Sequence, residues 1–163
     1  MFQPDKDGIY ATVHASQGRR LFGYGVLFML GALVLYTTLA HPPALHWMIF
    51  MLAFGVGMLW LAERLRRATT MVITLTKDDL RDSSGTVLVR IEDVRSVQRG
   101  AFALKPSNGF TLVMKDKSPR AWAPGLWWRM GRRVGVGGVT AAGQSRFMAE
   151  QIALRLKDSE KLH

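Results

Sequence analysis

Two uninterrupted apolar blocks stand near the front of the chain, and short alternating segments follow them. The first block, "LFGYGVLFMLGALVLYTTLA", runs from Leu21 to Ala40 without a charge. The second, "LHWMIFMLAFGVGMLWLA", runs from Leu45 to Ala62 with His46 as its one ionisable group. About twenty helical residues at roughly 1.5 Å each match a hydrocarbon core of about 30 Å. Helices buried in a soluble bundle keep a polar stripe, and neither block has one, so the pattern predicts two membrane-spanning helices, 21–40 and 45–62. The linker His41-Pro42-Pro43-Ala44 is a tight reversal, because proline cannot continue a helix and restricts the residue before it. The two helices are therefore expected to be antiparallel neighbours. A signal peptide fits poorly, since its apolar region is shorter and ends at a cleavage site rather than in a second span.

Beyond Arg67 the period changes from helical blocks to alternation. "TMVITLT" sets Met71, Ile73 and Leu75 against threonines and Val72, Asp78 and Asp79 mark a turn, "LRDSS" is a short strand, and Gly85 turns the chain into "TVLVRI". "VRSVQRGAFA" and "GFTLVMK" continue the strands, the latter alternating Phe110, Leu112 and Met114 with Thr111, Val113 and Lys115. "TAAGQSRFMAEQIALRLKD" reads as an amphipathic helix, with Met148, Ile152 and Leu156 on one face and Thr140 as its N-cap. The expected class is α+β: a tail over 1–18, a helical hairpin over 19–67, and a strand-and-helix domain over 68–163. That domain is expected to fold without the spans, because its elements carry their own apolar faces.

The run "ITLTKDDLRDSSGTVLVRIEDVRSVQ", the "GFTLVMK" strand and the closing helix resemble the bacterial pleckstrin-homology-like domains that follow transmembrane hairpins in small bacterial membrane proteins. The similarity covers about Thr69 to Leu156. The chain also resembles two-span alphaproteobacterial proteins of unassigned function in its segment "APGLWWRMGRRVGVGGVTAA". The resemblance implies a PH-like small β-barrel of two packed sheets capped by the C-terminal helix, no catalytic residues, and a role in assembling membrane complexes.

The chain has 163 residues, enough for one ordinary domain. Its 22 Lys and Arg against 12 Asp and Glu give a net charge of +10, which points to an anionic partner surface. With no cysteine, a disulfide framework and a thiolate zinc site are excluded. Lys6, Arg19 and Arg20 precede the first span, Arg64, Arg66 and Arg67 follow the second, and the loop between them has neither Lys nor Arg. The positive-inside rule then expects a bacterial inner-membrane protein with both termini cytoplasmic.

Candidate chemistry gathers in "RAWAPGLWWRMGRRVGVGG", from Arg120 to Gly138. A glycine-rich phosphate loop needs a third glycine where Thr140 stands, and a βαβ unit to present it. Basic residues beside aromatics suit nucleic acid, but a domain close to a bilayer meets lipid phosphate first, so nucleic acid is set aside. "PGLWWRMGRR" is read as a membrane-interface loop, with Trp122, Trp127 and Trp128 at headgroup depth and Arg129, Arg132 and Arg133 on anionic headgroups. A docking surface for a membrane-protein partner is the second reading and ordinary core packing of the tryptophans the third, and the first two can both hold. Ala53 and Gly57 form a small-xxx-small step for close helix approach, which leaves room for a partner helix or a second copy of the chain. His41 and His46 flank the turn and could meet a metal or haem only if another chain supplied ligands.

No catalytic residue, cofactor or metal is expected. His14, His41, His46 and His163 lie outside the domain's strands and helix, Asp78, Asp79 and Asp82 sit in turns, and Glu92 and Asp93 neighbour Arg90 and Arg95. The function expected is a non-enzymatic scaffold, assembly or accessory factor of a membrane complex. The alternative is an accessory subunit of a transporter or channel that acts through its hairpin, with an enzyme of lipid metabolism a distant third.

Overall fold

The computed structural model describes residues 5, 6, 8–99 and 106–160. The chain opens with β1 (Ala11–Val13), forms two long helices, α1 (Gln17–Ala40) and α2 (Leu45–Ala68), and continues through β2 (Ile73–Leu75), β3 (Asp79–Asp82), β4 (Val87–Arg90), a 3-10 turn (Ile91–Asp93), β5 (Val94–Gln98), β6 (Phe110–Ala123), β7 (Trp127–Val136) and α3 (Ala142–Glu160). The fold is α+β: two long apolar helices, two antiparallel sheets and a C-terminal helix. Strands β1-β2-β3-β4 make one sheet and β5-β6-β7 the other.

Both helices extend past the apolar blocks. In α2 the extra turn is "ERLRRA", in which Glu63 pairs with Arg66 and Arg67 at 2.7 Å, neighbours on one helix face. The helix stops at Thr69, whose hydroxyl donates back to the Leu65 carbonyl at 2.7 Å. Each helix is long and apolar enough to cross a membrane, and most of its large side chains, among them Leu21, Phe22, Leu39, Ile49, Phe50 and Trp60, are exposed. The helices meet at Gly31 and Gly55. A Cβ on Gly55 would lie 2.7 Å from the Leu35 side chain, so the crossing depends on the missing carbon. Ala53 and Gly57, expected to mediate close approach, are exposed, and a Cβ on Gly57 would meet nothing within 4 Å. Gly55 lies between them in sequence and faces α1, which turns its neighbours outward.

The expected tail over 1–18 requires correction, because its residues Ala11, Thr12 and Val13 pair with Leu75, Thr74 and Ile73 of β2. Val13 is fully buried in the domain core. Its "YATV" run is too short to announce a strand without its partner. The hairpin is therefore inserted between the first and second strands of one sheet, and the domain holds both of its ends. On the α1 side, Ser16 N donates to Val139 O at 2.7 Å, Ala141 N donates to His14 O at 3.1 Å, and Ala15 bridges Thr140. On the α2 side, Ala62, Leu65, Ala68 and Thr69 are buried.

One core serves both sheets and α3. Ile73, Leu75, Leu80 and Leu88 of the first sheet meet Phe110, Leu112, Val134 and Val136 of the second, under Met148 and Ile152. Leu156 packs partly buried at its margin, so the expected face of α3 is the one that docks. Thr140 does not cap α3; it is buried, and its hydroxyl donates to Asn108 O at 3.2 Å. The strand expected to end at Ala103 is observed as β5 to Gln98, and 100–103 lie outside the described residues, as does His163.

Candidate interfacial site at the foot of the second helix

The segment 124–133, read from sequence as a loop, is instead the turn and most of β7, paired along β6 from Phe110↔Val136 to Ala123↔Trp127. Register breaks between Val113 and Ser118 and again before Ala121 put extra residues into β6. An excess of residues on one strand bends a ribbon sharply. The tip accordingly returns to the sheet base, where Gly137 N donates to Leu126 O and Val139 N to Gly125 O, each at 2.9 Å. There it also meets α2. Gly125 has φ +75°, and a Cβ there would stand 2.7 Å from Leu65 Cδ1, so only glycine fits this contact without displacement.

This bend redistributes the expected site residues. Trp127 is buried, 4% exposed, with its Nε1 donating to Asp82 Oδ2 at 3.2 Å. The expectation of Trp127 at headgroup depth is thus corrected: an indole whose N–H finds a buried carboxylate belongs to the core. Trp128 is half-buried and lies against Gly135, whose missing side chain makes room for the indole ring. Trp122, its cross-strand partner, is half exposed.

Arg129 has a structural task. Its Nε donates to Pro119 O at 3.0 Å, and its Nη1 donates to Val87 O at 3.0 Å and Leu88 O at 3.1 Å. The guanidinium thereby ties β7 to carbonyls of β4, joining the two sheets by a side chain where no ladder joins them among the described residues. Arg132 and Arg133 are exposed on β7. Lys115 on β6 donates to Glu92 O at 2.7 Å.

Around the bend, residues from three places converge on a cleft of about 450 Å³ lined by Arg64, Arg120, Ala121, Trp122, Trp128, Arg129 and Met130. The Arg64 guanidinium lies 5.2 Å from the Trp60 ring and 5.3 Å from the Trp122 ring, within cation–π range of both. Arg64 comes from α2 and Arg120 and Trp122 from β6, so the cleft exists only where α2 meets the ribbon. The structure therefore brings together Trp122, Trp128 and Arg129 of the expected set, sends Trp127 inward, and leaves Arg132 and Arg133 outside the lining. Sequence reasoning missed Arg64 and Arg120. The signal available for Arg64 was its spacing of four from Trp60, which puts both on one helix face.

Elsewhere, His41 and His46 are exposed at the hairpin turn, with the His46 ring 5.7 Å from Trp47. Asp78 and Asp79 flank a separate hollow with Lys77, Arg90, Ile91 and Glu92. Comparison with models of known families, with characterised proteins and with solved structures found no match.

Proposed function

We propose that this chain is a two-span protein of the bacterial inner membrane, with both termini cytoplasmic, whose PH-like domain acts by binding rather than catalysis. It presents a fixed surface to anionic lipid headgroups and to a membrane-protein partner, as a scaffold or assembly factor. The observation that carries this reading is the double attachment of the domain: α1 leaves it at Ser16, α2 re-enters it through Leu65 and Thr69, and Arg64 is held between Trp60 and Trp122. A domain tied at both ends of a spanning hairpin keeps one face at the headgroups. Two packed sheets under a terminal helix are the parts that the PH-like resemblance implies, and Arg129 supports the barrel reading by bridging the sheets at β4 and β7. Cations at Arg19, Arg20, Arg64, Arg66 and Arg67 on the domain side of the hairpin support its cytoplasmic placement.

The reading is tested on the full chain in lipid nanodiscs made with phosphatidylcholine alone or with added phosphatidylglycerol. Hydrogen-exchange protection at the β6–β7 tip and the end of α2 is expected to rise with the anionic lipid and to fall again with salt. Equal protection in both lipids at low salt overturns the headgroup surface. For the partner, gentle detergent extraction and mass spectrometry should yield a membrane protein in constant ratio, lost in the Arg132→Gln/Arg133→Gln variant. The outward face of Ala53 and Gly57 favours a second reading, in which the hairpin packs against helices of a transporter or channel.

A further inference from the structure

We infer that the cleft between Arg64 and the β6–β7 ribbon is a discrete site for the phosphate of one anionic phospholipid. The inference rests on the reading that α2 crosses the bilayer, and it names the ligand and the residues. Three observations carry it.

The first is uncompensated charge. Arg64, Arg120 and Arg129 line the cleft, and no carboxylate is in its lining. Arg129 directs Nε and Nη1 to backbone carbonyls, whereas Arg64 and Arg120 have no ion pair among the described residues. The contrast with Arg66 and Arg67 on the same helix is informative, since both of them pair with Glu63 and share its single charge. Glu63 leaves Arg64 unpaired and turned toward the domain. Cations converging on a partly enclosed space focus a field that selects an anion.

The second is depth. Arg64 follows Leu45, the first residue of α2, by nineteen positions. At roughly 1.5 Å per residue it stands about 30 Å along the helix, the thickness of a hydrocarbon core. Trp60, one turn earlier and exposed, is the kind of residue that marks the interface. The anion present at that depth is a lipid phosphate.

The third is the wall. Trp122 and Met130 are about half exposed, Trp128 is half-buried, and the Trp60 ring continues their surface onto the span. An apolar wall beside the cationic groups suits the glycerol and upper acyl carbons of a phospholipid. A free phosphate or a protein carboxylate has nothing to put there.

The test uses the full chain extracted into mild detergent, with retained phosphatidylglycerol and phosphatidylcholine counted by native mass spectrometry after exposure to equal amounts of each. The parent is expected to hold one phosphatidylglycerol in preference to phosphatidylcholine. Arg64→Gln/Arg120→Gln should lower that preference about thirtyfold and Arg120→Gln alone about fivefold, taking about 1 kcal/mol for each cation. Arg132→Gln/Arg133→Gln should retain it. Arg120 is exposed and its side chain has no hydrogen bond or ion pair among the described residues, so its single variant is expected to keep the fold and remains informative even if the double variant does not. If the two double variants lose phosphatidylglycerol equally, there is a diffuse basic surface and no discrete site: the inference falls and the headgroup reading stands. If no variant changes retention while anionic lipid still fails to protect the β6–β7 tip in nanodiscs, both fall and the cleft is left to a protein partner.

Discussion

The Trp127 indole and the Asp82 carboxylate, forty-five positions apart in sequence, are joined by a buried hydrogen bond of 3.2 Å between the two sheets. Oδ2 of Asp82 receives the indole, while Oδ1 receives Ser84 N at 3.0 Å, Thr86 N at 3.1 Å and the Ser84 hydroxyl. One carboxylate therefore shapes the β3–β4 turn and anchors β7. Trp127→Phe keeps most of the ring volume but leaves Oδ2 without its indole donor, at an expected cost of about 1–3 kcal/mol. Trp127→Ala should cost about 3–5 kcal/mol by adding a cavity. Denaturant unfolding of the full chain in detergent checks both, and a phenylalanine variant as stable as the parent would show the bond to be dispensable.

Acid sensitivity is expected from Asp79. Partial burial opposes its ionisation, but hydrogen bonds from the Thr76 hydroxyl at 2.6 Å and from Arg81 at 2.9 Å outweigh that and hold its pKa below the usual carboxylate value. A depressed folded pKa contributes stability above the unfolded value of about 3.9 and loses it as pH falls through the folded one. Thermal melts of Asp79→Asn should therefore sit below the parent near neutral pH and converge with it below about pH 4. A constant gap across that range would contradict the assignment.

The hairpin's crossing gives a paired test. Gly55→Val forces a side chain into Leu35 and should lower the melting temperature of the detergent-solubilised chain, at a cost of about 1–3 kcal/mol. Gly57→Val faces open space in this chain and should leave the melt unchanged. Should Gly57→Val instead remove a co-purifying protein while the melt holds, the outward face of α2 is a docking surface for another helix.

Independent folding of the domain should depend on residues from before the hairpin. A fragment spanning 69–163 lacks β1, so the β2 edge and the pocket filled by Val13 are open to water. Fusing residues 5–16 ahead of 69–163 through a short flexible linker restores the strand, and with it Tyr10, whose ring lies 3.8 Å from the Arg155 guanidinium. The fused form should show a cooperative melt at higher temperature than the bare fragment. Identical melts would mean that β1 adds nothing to the fold.

Much of the architecture was legible because it rests on local pattern. The twenty uncharged residues from Leu21 to Ala40, the Pro42-Pro43 reversal, the alternation through Ile73 and Leu75, and the Met148, Ile152 and Leu156 stripe each declare their element within one window of chain. Local period, proline stereochemistry and charge need no partner to be read. What only the tertiary structure decided depends on residues that are distant in sequence. The three residues of β1 become a strand only against β2, the Trp127 N–H finds its acceptor only where the fold brings Asp82 to it, and Gly125 meets Leu65 only where the tip returns to α2. The cleft has the same origin. Arg64 and Arg120 stand fifty-six positions apart, and no periodicity links them; the bend of the β6–β7 ribbon onto the foot of α2 brings them to one wall. In "WW" the sequence offers two identical side chains, and a strand sends successive side chains to opposite faces, so pairing with β6 decides which indole enters the core and which lies half-buried against Gly135 at the cleft.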